Sequence, residues 1–492
     1  MRPKTSSLEK YFTPFRKNTI GINRTIRTPY GRKKIIYADW TASGRLYGPI
    51  ENKIINDFGP LIGNTHTEST TTGIAMTESY EEAKRIIKKH IGADKDDILL
   101  PVGSGMTGAV NKLQRILGLR LPEQFSQSIK IPEEHRPVVF VTHMEHHSNH
   151  TSWLETIADV VVLSPTKDGL VDITHLENLL KSYAHRKIKI AAVTACSNVT
   201  GIQIPYREIA KIMHEHRGLC FVDFAASAPY VETNMHPKNK SESLDAIYFS
   251  PHKFLGGPGS TGILVFNSKL YHSKIPDQPG GGTVKWTNPW GGRSYYDEIE
   301  IREDGGTPPF LQTIRAALVI KLKEQMGIEK ILKREEEIKE IIFEEFGKIK
   351  NLHILAGQIK NRLGIFSFVM DNAHYNLVAK LLNDRFGIQA RGGCACAGTY
   401  GHYLFNIDQA HSKKITDRIE RCDLSTKPGF IRLSIHPTMT DQEISCIIKA
   451  IKSISQNFSN WKKDYIYNPH TNEFSHKKKK NLSLKIKSMF EL

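Results

Sequence analysis

The 492-residue sequence contains no run of about 18 apolar residues, so no segment of it reads as a membrane-spanning helix. Its first stretch, "MRPKTSSLEKYFTPFRK", lacks the apolar core of a secretory signal, and its basic, acid-poor composition leaves an organelle transit peptide as the lesser alternative. Cysteine is sparse, six in the chain, and does not read as a disulfide framework, so a reducing, cytoplasmic setting is expected. No internal repeat is visible, and only the lysine-rich stretch around 476–480 approaches low complexity. Acids are outnumbered, 51 against 68 Lys and Arg, for a formal net charge of +17. No nucleic-acid motif and no basic patch interleaved with aromatics accompanies that excess.

The excess sits at the ends. Residues 1–36 hold ten Lys/Arg against one Glu, and residues 461–492 hold eight against three acids, so the body between them is close to neutral. Both ends read as solvated or loosely ordered basic segments, and nucleic acid is not expected as a partner.

Between residues 97 and 266 a short apolar run, a polar or glycine-rich break and a helix-like stretch recur. The runs are "DILLPV" (97–102), "PVVFVT" (137–142), "DVVVLS" (159–164), "IKIAAVTA" (188–195), "GLCFVDF" (218–224), "DAIYFS" (245–250) and "TGILVF" (261–266). Rich in β-branched residues and apolar on both faces, they suit strands buried between helical layers, which predicts an α/β fold with a mostly parallel sheet. A long helical stretch, 310–349, breaks near Gly327. After it come strand candidates at 363–370 and 429–435 and helices near 375–386 and 441–453, read as a smaller α+β domain. The expected organisation is a basic segment (1–36), a large domain (37–310), connecting helices (311–350), a small domain (351–460) and a basic tail (461–492).

Ligands of open parallel sheets bind beyond the carboxyl ends of the strands. There the sequence offers a glycine-rich turn into a helix, "GSGMTG", whose free N–H groups suit a phosphate. It also offers a loop with His143, His146 and His147, where a ring can lie on a flat cofactor. Three further runs end on Asn198, Asp223 and Lys253. A carboxylate at the end of so apolar a run is costly unless a cation meets it. A lysine for a Schiff base, an acid for a pyridine nitrogen and a phosphate-binding helix start together fit pyridoxal 5'-phosphate. The histidines alone do not call for a metal, and none is expected.

In order and spacing, "YADWTASG" (37–44), "EHHSN" (145–149), "SNVTG" (197–201), "VDFAAS" (222–227), "SPHK" (250–253), "GGGT" (280–283) and "GGTP" (305–308) resemble the class V aminotransferase and cysteine desulfurase family of fold-type I pyridoxal phosphate enzymes. The resemblance spans roughly residues 36–455. It implies that Lys253 holds the cofactor and moves protons at Cα, that Asp223 partners the pyridine nitrogen and that His146 stacks on the ring. It assigns the phosphate to Gly105, Met106 and Thr107 with Ser250 and His252, and Asn198 to the phenolic oxygen and the substrate carboxylate. Thr307 would reach the phosphate of a neighbouring subunit, which implies a homodimer. One departure is Ala226, where desulfurases carry a glutamine, with Ser227 as the substitute the sequence offers.

The stretch "QARGGCACAGTYGH" (389–402) bears on the reaction. Arg391 and Cys396 keep the spacing of arginine and nucleophilic cysteine in short-loop desulfurases, and the "CxC" of Cys394 and Cys396 resembles molybdenum-cofactor sulfurases. Arg432 stands where the family grips the substrate α-carboxylate. The leading expectation is conversion of L-cysteine to L-alanine with a persulfide on Cys396, passed to a sulfur-acceptor protein. The alternatives are class V aminotransfer, lyase or epimerase chemistry on another amino acid with Cys394 and Cys396 as bystanders, or a non-catalytic partner-binding relative. The insert 277–304, rich in glycine and tryptophan, is expected near a dimer interface or the mouth of the site.

Overall fold

A computed structural model describes residues 7–126, 128–478 and 486–491. All seven apolar runs are strands of one sheet: β1 (Asp97–Val102), β2 (Val138–Thr142), β3 (Asp159–Leu163), β4 (Lys189–Thr194), β5 (Leu219–Asp223), β6 (Ala246–Phe249) and β7 (Gly262–Asn267). Their order is β1-β7-β6-β5-β4-β2-β3. Only β7 runs against the others in this sheet, pairing antiparallel with β1 and β6. The β-branched runs are buried on both faces, as in β2, where every residue is inaccessible, and helices cover the two sides.

A second sheet, wholly antiparallel, joins β8 (Leu352–Ile354), β9 (Ile365–Met370), β10 (Arg391–Gly393) and β11 (Phe430–Ser434) in the order β8-β9-β11-β10. Among the helices that frame the two sheets are α1 (Ser7–Lys17), α2 (Gly105–Ile116), α3 (His147–Leu154), α4 (Phe310–Met326), α5 (Ile328–Gly347), α6 (Gly398–Leu404) and α7 (Asp441–Trp461). Gly327, at φ +75°, ends α4 and lets the chain turn into α5. Helix α7 starts in a capping box, Thr440 with Glu443, and runs eight residues past the expected 453. No helix among the described residues is long and apolar enough to cross a membrane.

From Ser7 onward the first segment is folded, which corrects its reading as a solvated tail. Tyr11, Phe12 and Phe15 make an aromatic stripe at helical spacing, and Phe12 is buried. Arg16 grips Glu443 of α7 with two bonds of 2.7 and 2.6 Å. A hairpin (Thr25–Thr28 with Gly31–Lys34) follows, and Ile36–Tyr37 pairs in parallel with Ile388–Gln389. The charge count concealed a packing surface beneath a basic one. At the other end, Tyr465–Asn468 and Glu473–His476 form a second hairpin; part of the 476–480 run lies outside the described residues. Within the insert, Val284–Thr287 and Arg293–Tyr295 form an exposed hairpin with Trp290 88% accessible. Its ends are anchored by Lys112–Glu303 at 2.7 Å and Arg115–Asp277 at 2.6 Å.

Candidate active site

The carboxyl ends of β2, β4, β5 and β6 and the loop after β10 enclose one cavity. Its lining includes Met106, Thr107, His146, Asn198, Asp223, Ser250, His252, Lys253, Arg391, Cys396 and Arg432. Gly105 lies against it. A Cβ on this residue would stand 2.9 Å from Ser250 Oγ, and its φ of +63° is itself a conformation suited to glycine. Thr307, in contrast, is exposed and does not line this chain's cavity.

The floor comes from the sheet. Asp223 ends β5 and accepts a 2.8 Å bond from the Ala225 N–H. Burial pushes its carboxyl up to about 6, opposed by that bond and by Lys253, so a cation arriving beside it would restore the charge. Lys253 closes a single 3-10 turn, Pro251–Lys253. Burial brings its ammonium down to about 8 against the pull of Asp223, with Arg432 adding to the depression. His146 caps α3, its Nδ1 accepting from Ser148 N–H at 3.1 Å. Burial first, then Lys253, lowers it to about 3, so the ring is neutral. The turn that carries His146 is fixed from below by Glu145, a buried side chain bonded to Thr142 Oγ1 (2.6 Å), Asn149 Nδ2 (2.8 Å) and Thr194 N–H (2.9 Å).

One rim is a hydroxyl-lined helix start. Met106 N–H at the head of α2 donates to Ser250 Oγ at 2.8 Å, and Thr107 Oγ1 lies 2.7 Å from Ser148 Oγ. Free N–H groups, hydroxyls and a glycine cradle there suit a phosphate. With Asp223, His146 and Lys253 on the floor, and with Asn198 Oδ1 buried without a partner, the residues fit a flat phosphorylated pyridine aldehyde.

The opposite wall belongs to the second sheet. Arg432 of β11 is buried, its Nη2 2.8 Å from Asp39 Oδ1 and its Nη1 bonded to Asn198 O at 3.1 Å. Arg391 Nε reaches the other Asp39 oxygen at 3.1 Å. After Gly393 the chain takes two left-handed non-glycine residues in a row, Ala395 at φ +49° and Cys396 at φ +56°. Three bonds from the floor secure this turn: Asn198 Nδ2 to Ala395 O (2.7 Å), His147 N–H to Cys396 O (2.7 Å) and Gly398 N–H to His147 Nε2 (2.8 Å). Cys396 is exposed and Cys394 half-buried. Both ring nitrogens of His402 are engaged, by Gly398 O and Ser412 Oγ, each at 2.8 Å. Ala226 lines the cavity, but Ser227 does not; its hydroxyl faces Phe224 O at 3.5 Å, so it does not replace the missing glutamine.

Sequence reasoning overlooked Asp39, Glu145 and Cys196, and it offered His147 to the cofactor where the structure sets it against the Cys396 turn. Asp39 and His147 stand inside stretches already quoted, but their partners lie hundreds of residues away. Cys196 is a buried thiol in the cavity wall, pushed well up by burial.

The profile of the class-V aminotransferases matches residues 36–447, and the chain belongs to that family, whose members depend on pyridoxal phosphate. A probable cysteine desulfurase of Halalkalibacterium halodurans is 27% identical over 368 residues, covering 74% of this chain and 84% of that one. One from Staphylococcus aureus strain Mu50 is 26% identical over 431 residues, covering 87% and 94%. Among solved structures, the apo cysteine desulfurase of Thermococcus onnurineus NA1 superposes with a TM-score of 0.70 at 22% identity, covering 86% of this chain and 95% of its own. The Escherichia coli desulfurase CsdA, in its S-sulfonic acid form, gives 0.69 at 18% identity, covering 91% and 98%. These structures share the fold-type I architecture.

Proposed function

We propose that this chain is a pyridoxal phosphate-dependent cysteine desulfurase that moves the sulfur of L-cysteine onto Cys396 and leaves L-alanine. The observation that carries this reading is the meeting, in one cavity, of Lys253 and Asp223 from the large sheet with Cys396 on a loop from the small one. Lys253 would hold the cofactor aldehyde, Asp223 the pyridine nitrogen, His146 the ring face, and Gly105, Met106, Thr107, Ser250 and His252 the phosphate. Bound there, the cofactor supplies an electron sink for the pair left at the substrate Cα.

The protein's own groups do the rest. Arg432 orients the α-carboxylate with Asn198 beside it, and Arg391 guards the entrance. Lys253, with its depressed basicity, takes the proton from Cα and returns one later. The Cys396 thiolate attacks the substrate sulfur; the Cβ–S bond breaks as an S–S bond forms on Cys396, and the carbon left behind takes up a proton to give alanine. Exposure of Cys396 supports onward transfer of the persulfide sulfur to a thiol on an acceptor protein. Thr307, exposed and away from its own cavity, supports a homodimer in which it serves the neighbouring site. A cytoplasmic setting agrees with thiol chemistry of this kind.

The test is alanine and sulfide release from L-cysteine by the loaded protein and by Cys396→Ser, with mass analysis of the peptide around Cys396. Alanine formation by the wild type, a one-sulfur mass increment on Cys396, and loss of both in the variant are expected. Absence of alanine from a protein that does bind the cofactor would sink this reading and return the chemistry to amino-group transfer, lyase or epimerase reactions on another amino acid.

A further inference from the structure

Composition assigns the positive charge to two ends of the chain, and the fold sets the described hairpins of those two ends against each other. In the first hairpin, Arg27 lies directly across from Arg32 and Thr25 across from Lys34. All four are exposed, while Ile26, Thr28 and Lys33 turn to the other side. Like charges directly opposed on a ladder are unfavourable. Nothing local relieves them, because residues 10–38 contain no acid. Arg24, Arg27 and Arg32, with Thr25 and Gly31, line a shallow concavity.

The second hairpin abuts the first through Tyr30. Its hydroxyl donates to Asp464 at 2.7 Å and lies 3.2 Å from His476 Nε2. Lys462 and Lys463 therefore precede this contact and Lys477 and Lys478 follow it, all four exposed. Two acids are near. Asp464 is held by Arg385 at 3.0 Å. Glu473 pairs with Asn468 at the far end of its hairpin, about 10 Å from His476 by strand rise.

We propose that this face binds the phosphodiester backbone of single-stranded nucleic acid, without reading its sequence. Alternate residues on a strand repeat about every 7 Å, a spacing comparable to that of successive phosphates along one strand. The outward residues of the first hairpin are polar or cationic, which disfavours insertion into a bilayer, and the face is rich in lysine, which protein interfaces avoid. No set of side chains points to base edges, so affinity should come from counterion release. This inference is independent of the chemistry in the cavity. It reverses the expectation drawn from composition, in which the charged ends were solvated.

The experiment uses the full-length, cofactor-loaded protein and a fluorescent single-stranded RNA about twenty nucleotides long, followed by anisotropy between about 50 and 200 mM salt. If five cations engage, the log–log salt slope should be about −3.5. Arg27→Glu/Arg32→Glu should weaken binding at least about tenfold and flatten the slope, with thermal melting and alanine formation unchanged. Lys462→Glu/Lys463→Glu, on the other hairpin, should act in the same direction and guards against a misfolded first variant. The proposal is overturned by wild-type protein that does not bind at the lowest salt, or by binding that neither pair of substitutions alters. Polyglutamate or anionic vesicles bound as tightly as RNA would overturn it too, in favour of an acidic protein or a lipid surface.

Discussion

His147 offers the sharpest test of how the turn around Cys396 is held. Ala395 and Cys396 both occupy the left-handed region, at a cost on the order of 1 kcal/mol or more each. Opposing that cost are three hydrogen bonds from Asn198 and His147, each contributing about 1 kcal/mol net. The two sides nearly balance, so losing one bond lowers the loop's equilibrium constant by about fivefold, roughly 1 kcal/mol. His147→Ala deletes only the Nε2 acceptor for Gly398 N–H and keeps the backbone bond to Cys396. The expected result is a kcat for alanine formation about two- to threefold lower with KM unchanged, because Arg432 and Asn198, the carboxylate ligands we propose, are untouched. Amide exchange over residues 396–399 should accelerate by a similar factor.

His147→Gln supplies another acceptor and should restore both. Burial lowers the His147 pKa, with Lys427 adding to the effect, so the ring is neutral and accepting at neutral pH. The bond is present above that lowered pKa and is lost as pH falls through it. Wild-type kcat should therefore carry an acid limb below the usual histidine range that His147→Gln lacks. An unchanged kcat and unchanged exchange in His147→Ala would refute the clamp, as would a glutamine variant no better than alanine.

Three other outcomes follow from the charges described above. As the proposed cofactor lysine, Lys253 must be deprotonated to capture the aldehyde, and burial brings it down to about 8, so the rate at which apoprotein gains near-visible absorbance should rise with pH and level off above about 8; a flat profile from pH 6 to 9 would contradict it. Glu335, buried on α5, is pushed up to about 8 by burial, against a bond from Gly364. It keeps its proton on folding and the unfolded chain does not, so its contribution falls as pH rises from about 4.5 towards 8, and Glu335→Gln should raise Tm at pH 8 but not at pH 4. Asp39→Asn leaves Arg391 and Arg432 without their shared carboxylate; losing a charge-assisted contact of about 1.5–3 kcal/mol, the variant should be inhibited at least about tenfold more strongly by dicarboxylic amino acids than the wild type, measured as alanine formation.

The large sheet was legible because burial on both faces leaves a mark in every strand: seven apolar runs, all within a residue or two of their observed ends. Gly327 was legible for a related reason, since a break between two apolar periods needs a residue tolerant of positive φ. The strand-end chemistry followed from topology, which brings Asp223, Lys253 and His146 to one edge of the sheet. What stayed hidden depends on contacts remote in sequence. Asp39 meets Arg432 across 393 positions, and no local pattern distinguishes that carboxylate from a surface one. Residues 7–36 were misread because their charge was counted and their aromatic spacing was not. Thr307 remains an inference about a neighbouring subunit, since its own cavity does not include it.

The two halves of the site are built on different terms. Its floor rests on buried bonds such as those of Glu145, which tie β2, β4 and α3 together and cannot shift without breaking a sheet. Its far wall is secured by a few contacts from outside its own sheet: Asp39, on the first segment of the chain, to two arginines, and Asn198 and His147 to the turn around Cys396. In the chemistry we propose, a cofactor that must not move belongs on the first, and a thiol that must first attack and then deliver belongs on the second. The charge count of the wall agrees with this division. Arg391 and Arg432 bring two positive charges, Asp39 removes one, and the single charge remaining matches one α-carboxylate. A substrate with a neutral side chain satisfies that sum, and a second carboxylate does not, which is why an arginine pair near the entrance is compatible with an amino acid as small as cysteine.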